Sequence, residues 1–318
     1  MKINLILILL FFCTKSFSQK TEKYYDVFWK ECTADMARYF SVVEKTDSGY
    51  RKVDYYLNKG IKPQMVGKYK DEECKIKDGL FTFFFPNGNI DSEVAYKNGE
   101  KEGLYISFHY NGMMKDSTVF KTGKAIGTSL SWHSNGYISD SCILNNDGLY
   151  TSVSWFDNGT PSDAGKLNGE NNKHGTWQFF NKMGDLTSKE IYNNGKYVNA
   201  KYYDKEKKIT EKDSADAYKD ASFKGGIKKW QKYLTDKLRF PENYKLKNSS
   251  QVTVVVTFTV TEEGSIDEVF ISTPFAQSFD TIAENIIKES PKWTPAKSHN
   301  RNVRAIFRQP VSFAQIEQ

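Results

Sequence analysis

The sequence predicts a mainly β protein in which an array of β-hairpin repeats precedes a small α+β domain. Three observations support this fold class. Aromatic residues make up 15% of the 318 residues, and flat rings suit the half-buried surface of a sheet. Glycines recur at intervals near 24 residues through the middle of the chain. After residue 222, the hydrophobic spacing alternates between helical and strand periods.

Residues 1–18 have the pattern of a cleaved signal peptide. Lys2 precedes an apolar run over 3–12, and small residues lead up to Ser18, so we expect cleavage before Gln19 and export to the periplasm or envelope. The run is about half of the roughly 20 residues that span a bilayer. The alternative is an uncleaved N-terminal anchor. Cys13 follows bulky residues, which argues against lipidation.

Composition argues against nucleic-acid binding and catalysis. The net charge is +6, and the leader carries two lysines and no acid, so the mature chain would have +4 without a basic stripe. No nucleophile, phosphate-loop, metal or dinucleotide motif is present, which predicts a non-enzyme without cofactor or metal. Cys32, Cys74 and Cys142 remain after cleavage, and they allow one disulfide with one free thiol, or no disulfide.

Two glycine series mark the repeats over residues 78–198. The first comprises Gly79, Gly103, Gly127 and Gly175. The second comprises the turn glycines Gly88, Gly112, Gly136, Gly159 and Gly184. Four of these turn glycines end the aligned stretches FFFPNG, SFHYNG, SWHSNG and SWFDNG, and QFFNKMG is a degenerate fifth copy. A fixed period of this length indicates one supersecondary unit that is stacked repeatedly.

Each unit is predicted to be a hairpin. Leu104, Ile106 and Phe108 alternate with polar or aromatic neighbours, as in a strand. Asn111-Gly112 follows, and we expect a type I′ turn because both residues tolerate a positive φ. The array resembles MORN repeats in their divergent bacterial form. Upstream, residues 19–77 are expected to form an N-terminal β cap with a degenerate copy.

The recurring aromatic residues have two interpretations. We expect one equivalent core position, occupied by Phe84, Phe108, Trp132, Trp155 and Phe179. The alternative is an aromatic face that contacts membrane lipid, glycan or protein. His109 and His133 mark the same position in adjacent copies, which favours a ladder over a metal site because no carboxylate or cysteine recurs beside them.

Residues 199–221 are rich in Lys, Glu and Asp and predict a charged linker. Residues 222–318 then predict the order helix, strand, strand, helix, strand. The first two strands would form a hairpin, and the second helix would bring the last strand, over about 302–313, beside the first. The sheet order would be 2-1-3. Pro310 supports an edge position for the last strand, because proline in strands is confined to edges and bulges.

Several short motifs of this last segment occur in a specific order. They are Phe223-x-Gly225-Gly226, Phe240-Pro241, VTVVVTFTVTEEGSI, Trp293-x-Pro295 and Pro310-x-x-Phe313. Together they resemble the C-terminal domain of the TonB family. The resemblance implies capture of an extended partner segment as an added strand, from a TonB-dependent outer-membrane receptor or another envelope protein. Carried over, the acceptor edge comprises Val303, Arg304, Ala305, Ile306, Phe307 and Arg308.

Three functional hypotheses follow from these observations. The first is an exported adaptor, associated with TonB-type transmembrane transport, that binds a partner through this edge. The second is a membrane-anchored energy transducer with an uncleaved first segment. The third is a structural repeat scaffold without strand capture. The chain has only 8 prolines and carries repeats where TonB proteins have a proline-rich spacer, so we expect partner binding rather than energy transduction.

Overall fold

The computed structural model describes residues 20–57, 61–203, 218–242, 244–246 and 249–315, and the backbone of 209–210. The expected signal peptide, its cleavage site and the alternative anchor lie outside these residues. So do 204–208 and 211–217 of the expected linker. None of the described helices combines the length and the apolar character that a membrane crossing requires.

Sixteen antiparallel strands form one sheet in sequence order, which confirms the expected hairpin array. The strands are β1 Lys20–Tyr25, β2 Tyr39–Thr46, β3 Gly49–Tyr56, β4 Lys62–Tyr69, β5 Gly79–Phe84, β6 Ile90–Lys97, β7 Glu100–Phe108, β8 Met114–Lys121, β9 Lys124–Trp132, β10 Ile138–Leu144, β11 Tyr150–Trp155, β12 Pro161–Leu167, β13 Lys173–Phe180, β14 Leu186–Asn193, β15 Lys196–Tyr203 and β16 Ile209–Thr210. Residues 20–69 therefore continue the sheet of the repeats. The expected boundary at residue 198 is wrong, because β15 runs through it and β16 extends the array to 210.

The turn chemistry differs from the expectation at the Asn-Gly end of the hairpins. Gly88 N–H donates to Phe85 O (2.8 Å), and Phe85 N–H donates to Asn89 O (2.8 Å). The glycine has φ 96°, whereas the preceding asparagine keeps a negative φ. This is a type I turn followed by a glycine bulge, so the type I′ expectation is wrong here. Type I′ angles occur at the opposite end, at Asn98-Gly99 (φ 54° and 87°).

The turn asparagines form a ladder between copies. Asn111 Oδ1 accepts from Met113 N–H (3.0 Å), and Asn111 Nδ2 donates to Ser134 O of the next copy (2.8 Å). The same side-chain donation to the next copy recurs at Asn87, Asn135 and Asn158. His109 and His133 lie two residues before the turn asparagines Asn111 and Asn135. Their Nε2 atoms are 2.7 and 2.8 Å from carbonyl oxygens of the next copy. Asparagine is therefore required by the ladder, and not by a left-handed backbone.

The expected single core position does not exist. Phe179 lies opposite Asp163 and Ser188, one residue out of register with the four other aromatic residues, because Phe180 occupies their position. Phe84, Phe108, Trp132 and Trp155 are only half-buried, and they lie on the opposite face from Phe179. The buried cores of the array lie on the Phe179 face.

Aromatic rings on this core face cover glycines of the neighbouring strand. Phe81 covers Gly67, and Trp177 covers Gly165 so closely that an added Cβ would meet ring atoms at 2.1 and 2.3 Å. Both rings are almost fully buried. The two glycines are therefore required by packing, since neither has a positive φ.

The C-terminal domain contains α1 Gly226–Lys237, β17 Gln251–Val260, β18 Ile266–Thr273, α2 Gln277–Lys288, β19 Ala296–Ser298, β20 Arg301–Val303 and β21 Ala305–Ala314. The sheet order β18-β17-β21 is the expected 2-1-3 order. The β19–β20 hairpin was not expected. The core of the domain is built from Val254, Val256 and Phe258 of β17 with residues of α2 and β21. Cys32, Cys74 and Cys142 are free thiols.

Candidate functional site: the open edge of the C-terminal sheet

Strand β21 is an edge strand. It pairs with β17 over ten residues, from Gln251 opposite Ala314 to Val260 opposite Ala305, without a register shift. Among the described strands, β17 is the only one that pairs with β21. The opposite side of β21 therefore offers backbone N–H and C=O groups to a further strand.

Pro310 identifies which residues face outward. Proline lacks an N–H, so in a strand it is tolerated where that group would point away from the neighbouring strand. Ser272 Oγ donates to Val255 O (3.2 Å) from the β18 side, which agrees with Val255 and its partner Pro310 forming a non-hydrogen-bonded pair. Backbone groups alternate along a strand, so the even-numbered residues Ile306, Arg308, Ser312 and Ala314 point their N–H groups outward.

The structure places two of the six expected acceptor residues outside this strand. Val303 belongs to β20, where it pairs with Ala296, and Arg304 connects β20 to β21. The Arg304 guanidinium lies 3.1 Å from Asp157 and 3.3 Å from Asp267, so it joins the array to the domain. The expected strand range was wrong at this end because the β-rich sequence hides the β20–β21 break.

A groove of about 1300 Å³ runs beside the second half of β21. Leu234 of α1 and Leu238, which directly follows the helix, form one wall, and Phe240, Pro241 and Tyr244 continue it. Val311 and Phe313, which are buried in the domain core, form the floor. The groove thus has an apolar wall and floor with polar residues around them, and Ser312 and Ala314 also line it.

The motif residues build the support for this groove. Gly225 and Gly226 have φ 95° and 82° and start α1, a conformation that glycine adopts without strain. Trp293 is 7% exposed and packs on Trp230 of α1 with ring centroids 4.9 Å apart. Phe240 and Phe313 both pack edge-on against Phe279 of α2, and Pro295 leads into β19. These residues fix α1 relative to β21.

The opposite edge strand, β18, faces the Asn-Gly turns of the array. Phe270 stacks on Tyr110 at 4.8 Å between ring centroids and meets Phe85 edge-on at 5.7 Å. Glu268 lies 3.6 Å from His109 Nδ1. Burial raises the pKa of Glu268, but hydrogen bonds and nearby cations outweigh it and keep that pKa below its ordinary value. The hairpins therefore flank β18, and within the described parts of the chain no strand pairs with the outer side of β21.

The tip of the β19–β20 hairpin packs on the core face of the array. His299 stacks on Phe179 at 3.7 Å and 7° between the ring planes, and its Nδ1 lies 2.8 Å from Glu190 Oε1. Glu190 is 1% exposed. Burial alone would raise its pKa, but hydrogen bonds from His299 and Tyr192 outweigh burial and hold the pKa of Glu190 below its ordinary value.

Arg301 also belongs to this contact between the β19–β20 hairpin and the array, which we call the clasp. Its Nη2 donates to Asp163 Oδ2 (2.8 Å), and its Nη1 donates to Phe180 O (2.8 Å) and Ser162 Oγ (2.9 Å). The side chain is 6% exposed. These partners lie far away in sequence, so no local pattern indicated the clasp. The only local signal in the sequence is the pair His299-Asn300. Its φ angles of 53° and 58° are typical of a tight hairpin turn.

A third contact joins the start of the array to the domain. Arg38 donates to Thr253 O and lies 4.4 Å over the Phe275 ring. Burial lowers the pKa of Arg38 to about 10, although Asp280 acts in the opposite direction. The domain is thus held near β2, along the turn row and near β13. It forms one body with the array.

The fold and the site define a repeat β protein that carries a small domain with one open strand edge. Residues 236–314 match the family model described as the Gram-negative bacterial TonB protein C-terminal. Residues 77–98 match the model described as a MORN repeat variant. The chain therefore combines a MORN repeat region with a TonB C-terminal domain, a non-enzymatic, envelope-associated type of domain that interacts with proteins. No curated protein matches the chain.

Proposed function

We propose that this chain is an exported envelope adaptor, associated with TonB-type transport, that captures an extended partner segment on β21. The open edge of β21 carries this proposal, since outward N–H and C=O groups beside an apolar groove suit β-augmentation. The partner is an envelope protein, such as a TonB-dependent outer-membrane receptor. The contacts of β18 with the array support the proposal further, because they leave β21 as the accessible edge of the domain.

The test is capture of envelope proteins by the mature chain with proline substitutions on β21. Ile306→Pro and Ser312→Pro each remove an outward N–H, so they leave the β17 pairing intact while interrupting an added strand. Crosslinking pull-down from the native envelope should recover a protein with the unmodified chain. Recovery should fall strongly when both prolines are present.

A control outside the site is Arg51→Ala, an exposed change on β3 that should leave recovery unchanged. Circular dichroism and thermal unfolding establish that each variant is folded. Equal recovery with the folded double-proline variant would refute strand capture. Sequencing the mature N-terminus separates the adaptor from an anchored transducer, because a start at Gln19 removes the apolar run.

A further inference from the structure

The face of the array opposite Phe179 carries a second apolar surface. Phe179 lies across from Asp163 in the pairing of β12 with β13, and successive residues of a strand point to opposite faces. Ala164 therefore lies on the other side of the sheet, together with its partner Val153 on β11. We call this side of strands β6–β14 the outer face. The contacts between the array and the C-terminal domain described above lie at the Asn-Gly turns, on the core face and at Arg38, so they leave the outer face uncovered.

An uncharged row crosses the middle of the outer face. Successive strand pairings connect Glu93 on β6 with Lys189 on β14, through Ile106, Leu130 and Val153. Every residue of the row between the two ends has an uncharged side chain. The row thus carries an acid at one end, a base at the other, and aliphatic or neutral polar residues between them.

Exposed apolar side chains flank this row on both sides. Phe108, Met114 and Trp132 lie between the row and the Asn-Gly turns. Leu104, which is 55% exposed, and Ile143, which is 46% exposed, lie towards the other end of the hairpins. The largest apolar patch on a typical monomer covers about 300–600 Å². An apolar face that extends over this many strands therefore indicates an interaction surface.

The size of the outer face suits a second copy of the chain. The nine strands β6–β14, at a spacing of about 4.8 Å and with about five residues of about 3.4 Å across each, give a face of about 650 Å². Two copies packed face to face would bury about 1300 Å² in total, within the range of about 1200–2000 Å² that specific interfaces bury. Two sheets pack in this way, about 10 Å apart, in β-sandwiches.

The charges at the two ends determine how two copies fit. Strand β10 is the middle strand of β6–β14, so a twofold axis parallel to the strands and passing over β10 places β6 of each copy opposite β14 of the other. Glu93 of one copy then faces Lys189 of the second copy at both ends of the interface. A twofold axis perpendicular to the strands would place Glu93 opposite Glu93, which repulsion disfavours. A lipid surface has no counterpart for this separation of charge along the face.

We infer that the outer face is the interface of a homodimer, in which two arrays pack as a β-sandwich around a twofold axis over β10. This assembly goes beyond the proposed strand capture and does not depend on it. Because the axis is parallel to the strands, the Asn-Gly turns of both copies lie at the same end. Each dimer therefore carries two C-terminal domains, each next to its own row of turns.

Adjacent residues of β10 give a matched pair of variants. Ile143 lies on the outer face, and Leu144, which is 47% exposed, lies on the core face. Sedimentation velocity of the full mature chain, over a thousandfold range of concentration, should show an equilibrium between monomer and dimer. Ile143→Lys should raise the dimer dissociation constant at least about tenfold, because the axis brings the two lysines together. Leu144→Lys should change this constant by at most about threefold.

Charge exchange tests the orientation of the two copies. Glu93→Lys should raise the dissociation constant at least about fivefold, since the new lysine faces Lys189 twice in each dimer. Adding Lys189→Glu restores opposite charges and should return the constant to within about threefold of the unmodified value. Failure of this rescue would overturn the assigned axis. Circular dichroism and thermal unfolding establish that each variant is folded.

Other outcomes refute the homodimer itself. The mature chain would then stay monomeric at every concentration, or Ile143→Lys and Leu144→Lys would weaken the dimer equally. Leu104→Lys, a second exposed change on the outer face, should also weaken the dimer. Phosphatidylcholine vesicles test a membrane as the occupant: monomers that bind these vesicles, and lose the binding in Ile143→Lys but not in Leu144→Lys, would show that the outer face contacts lipid instead.

Discussion

Replacing Arg301 with alanine should weaken the attachment of the C-terminal domain to the array. The guanidinium donates to Asp163 Oδ2 (2.8 Å), Phe180 O (2.8 Å) and Ser162 Oγ (2.9 Å). The Arg301 side chain is 6% exposed. Removing one partner of a buried ion pair costs about 3–5 kcal/mol. We expect the lower end, about 3 kcal/mol, because Asp163 keeps its hydrogen bond from Ser162 Oγ (2.9 Å).

Urea unfolding followed by tryptophan fluorescence and circular dichroism measures this loss. The unmodified chain should unfold with coincident transitions by both probes, because the clasp couples the two parts. Arg301→Ala should lower the stability of the coupled state and split the transitions. A cycle with Asp163→Asn should give a coupling energy of about 1.5–3 kcal/mol, and Arg51→Ala should change stability by less than about 0.5 kcal/mol. Coincident transitions with unchanged stability in Arg301→Ala would refute the clasp.

Three further predictions concern other contacts. Folding lowers the pKa of Glu190 from its ordinary 4.5. The ionised Glu190 therefore stabilises the fold fully above about pH 4.5, and this stabilisation is lost as pH falls through the folded pKa. Urea titrations at decreasing pH should show this loss, and Glu190→Gln should reduce the pH dependence. Asn135→Ala removes the ladder donation to the next copy and should cost about 1 kcal/mol in thermal unfolding, whereas the exposed Asn146→Ala should be neutral. Gly165→Ala should cost about 1–3 kcal/mol because its Cβ would lie 2.3 Å from the Trp177 ring, whereas Gly169→Ala, with open space around it, should unfold no earlier than the unmodified chain.

The features that could be predicted from the sequence are those with a local periodic cause. The hairpin array follows from glycines spaced by the length of one unit, and the order of the C-terminal sheet follows from two strands, a crossover helix and an edge proline. The predicted type I′ turn was wrong because Asn-Gly also suits a type I turn with a glycine bulge, in which the asparagine side chain forms the hydrogen bonds. That difference depends on the carbonyl of the next copy, such as Ser134 O for Asn111.

The candidate site could be predicted only in part. The edge position follows from the strand order and Pro310, whereas Ala305 to Arg308 were expected as acceptor residues only through the resemblance to the TonB family. The roles of Arg304 and Arg301 do not, because their acidic partners, Asp157 and Asp163, lie more than 130 residues away. Such contacts depend on how two folded parts meet, and a single sequence carries no local signal for that. The groove was missed for the same reason, since α1 is brought to β21 by packing around Trp230 and Trp293.

Under the proposed function, the arrangement of the two parts gives the array a role that a flexible spacer lacks. A three-stranded sheet has two edges, and each is a template for pairing with another chain. The turn row packs along β18 through Phe270 and Glu268, and so it crowds one of these edges. On β21, Pro310 and the charge of Arg308 disfavour pairing with an identical strand, while the donors at Ser312 and Ala314 remain. The domain is therefore biased against self-association, and β21 stays available for the strand capture that we propose.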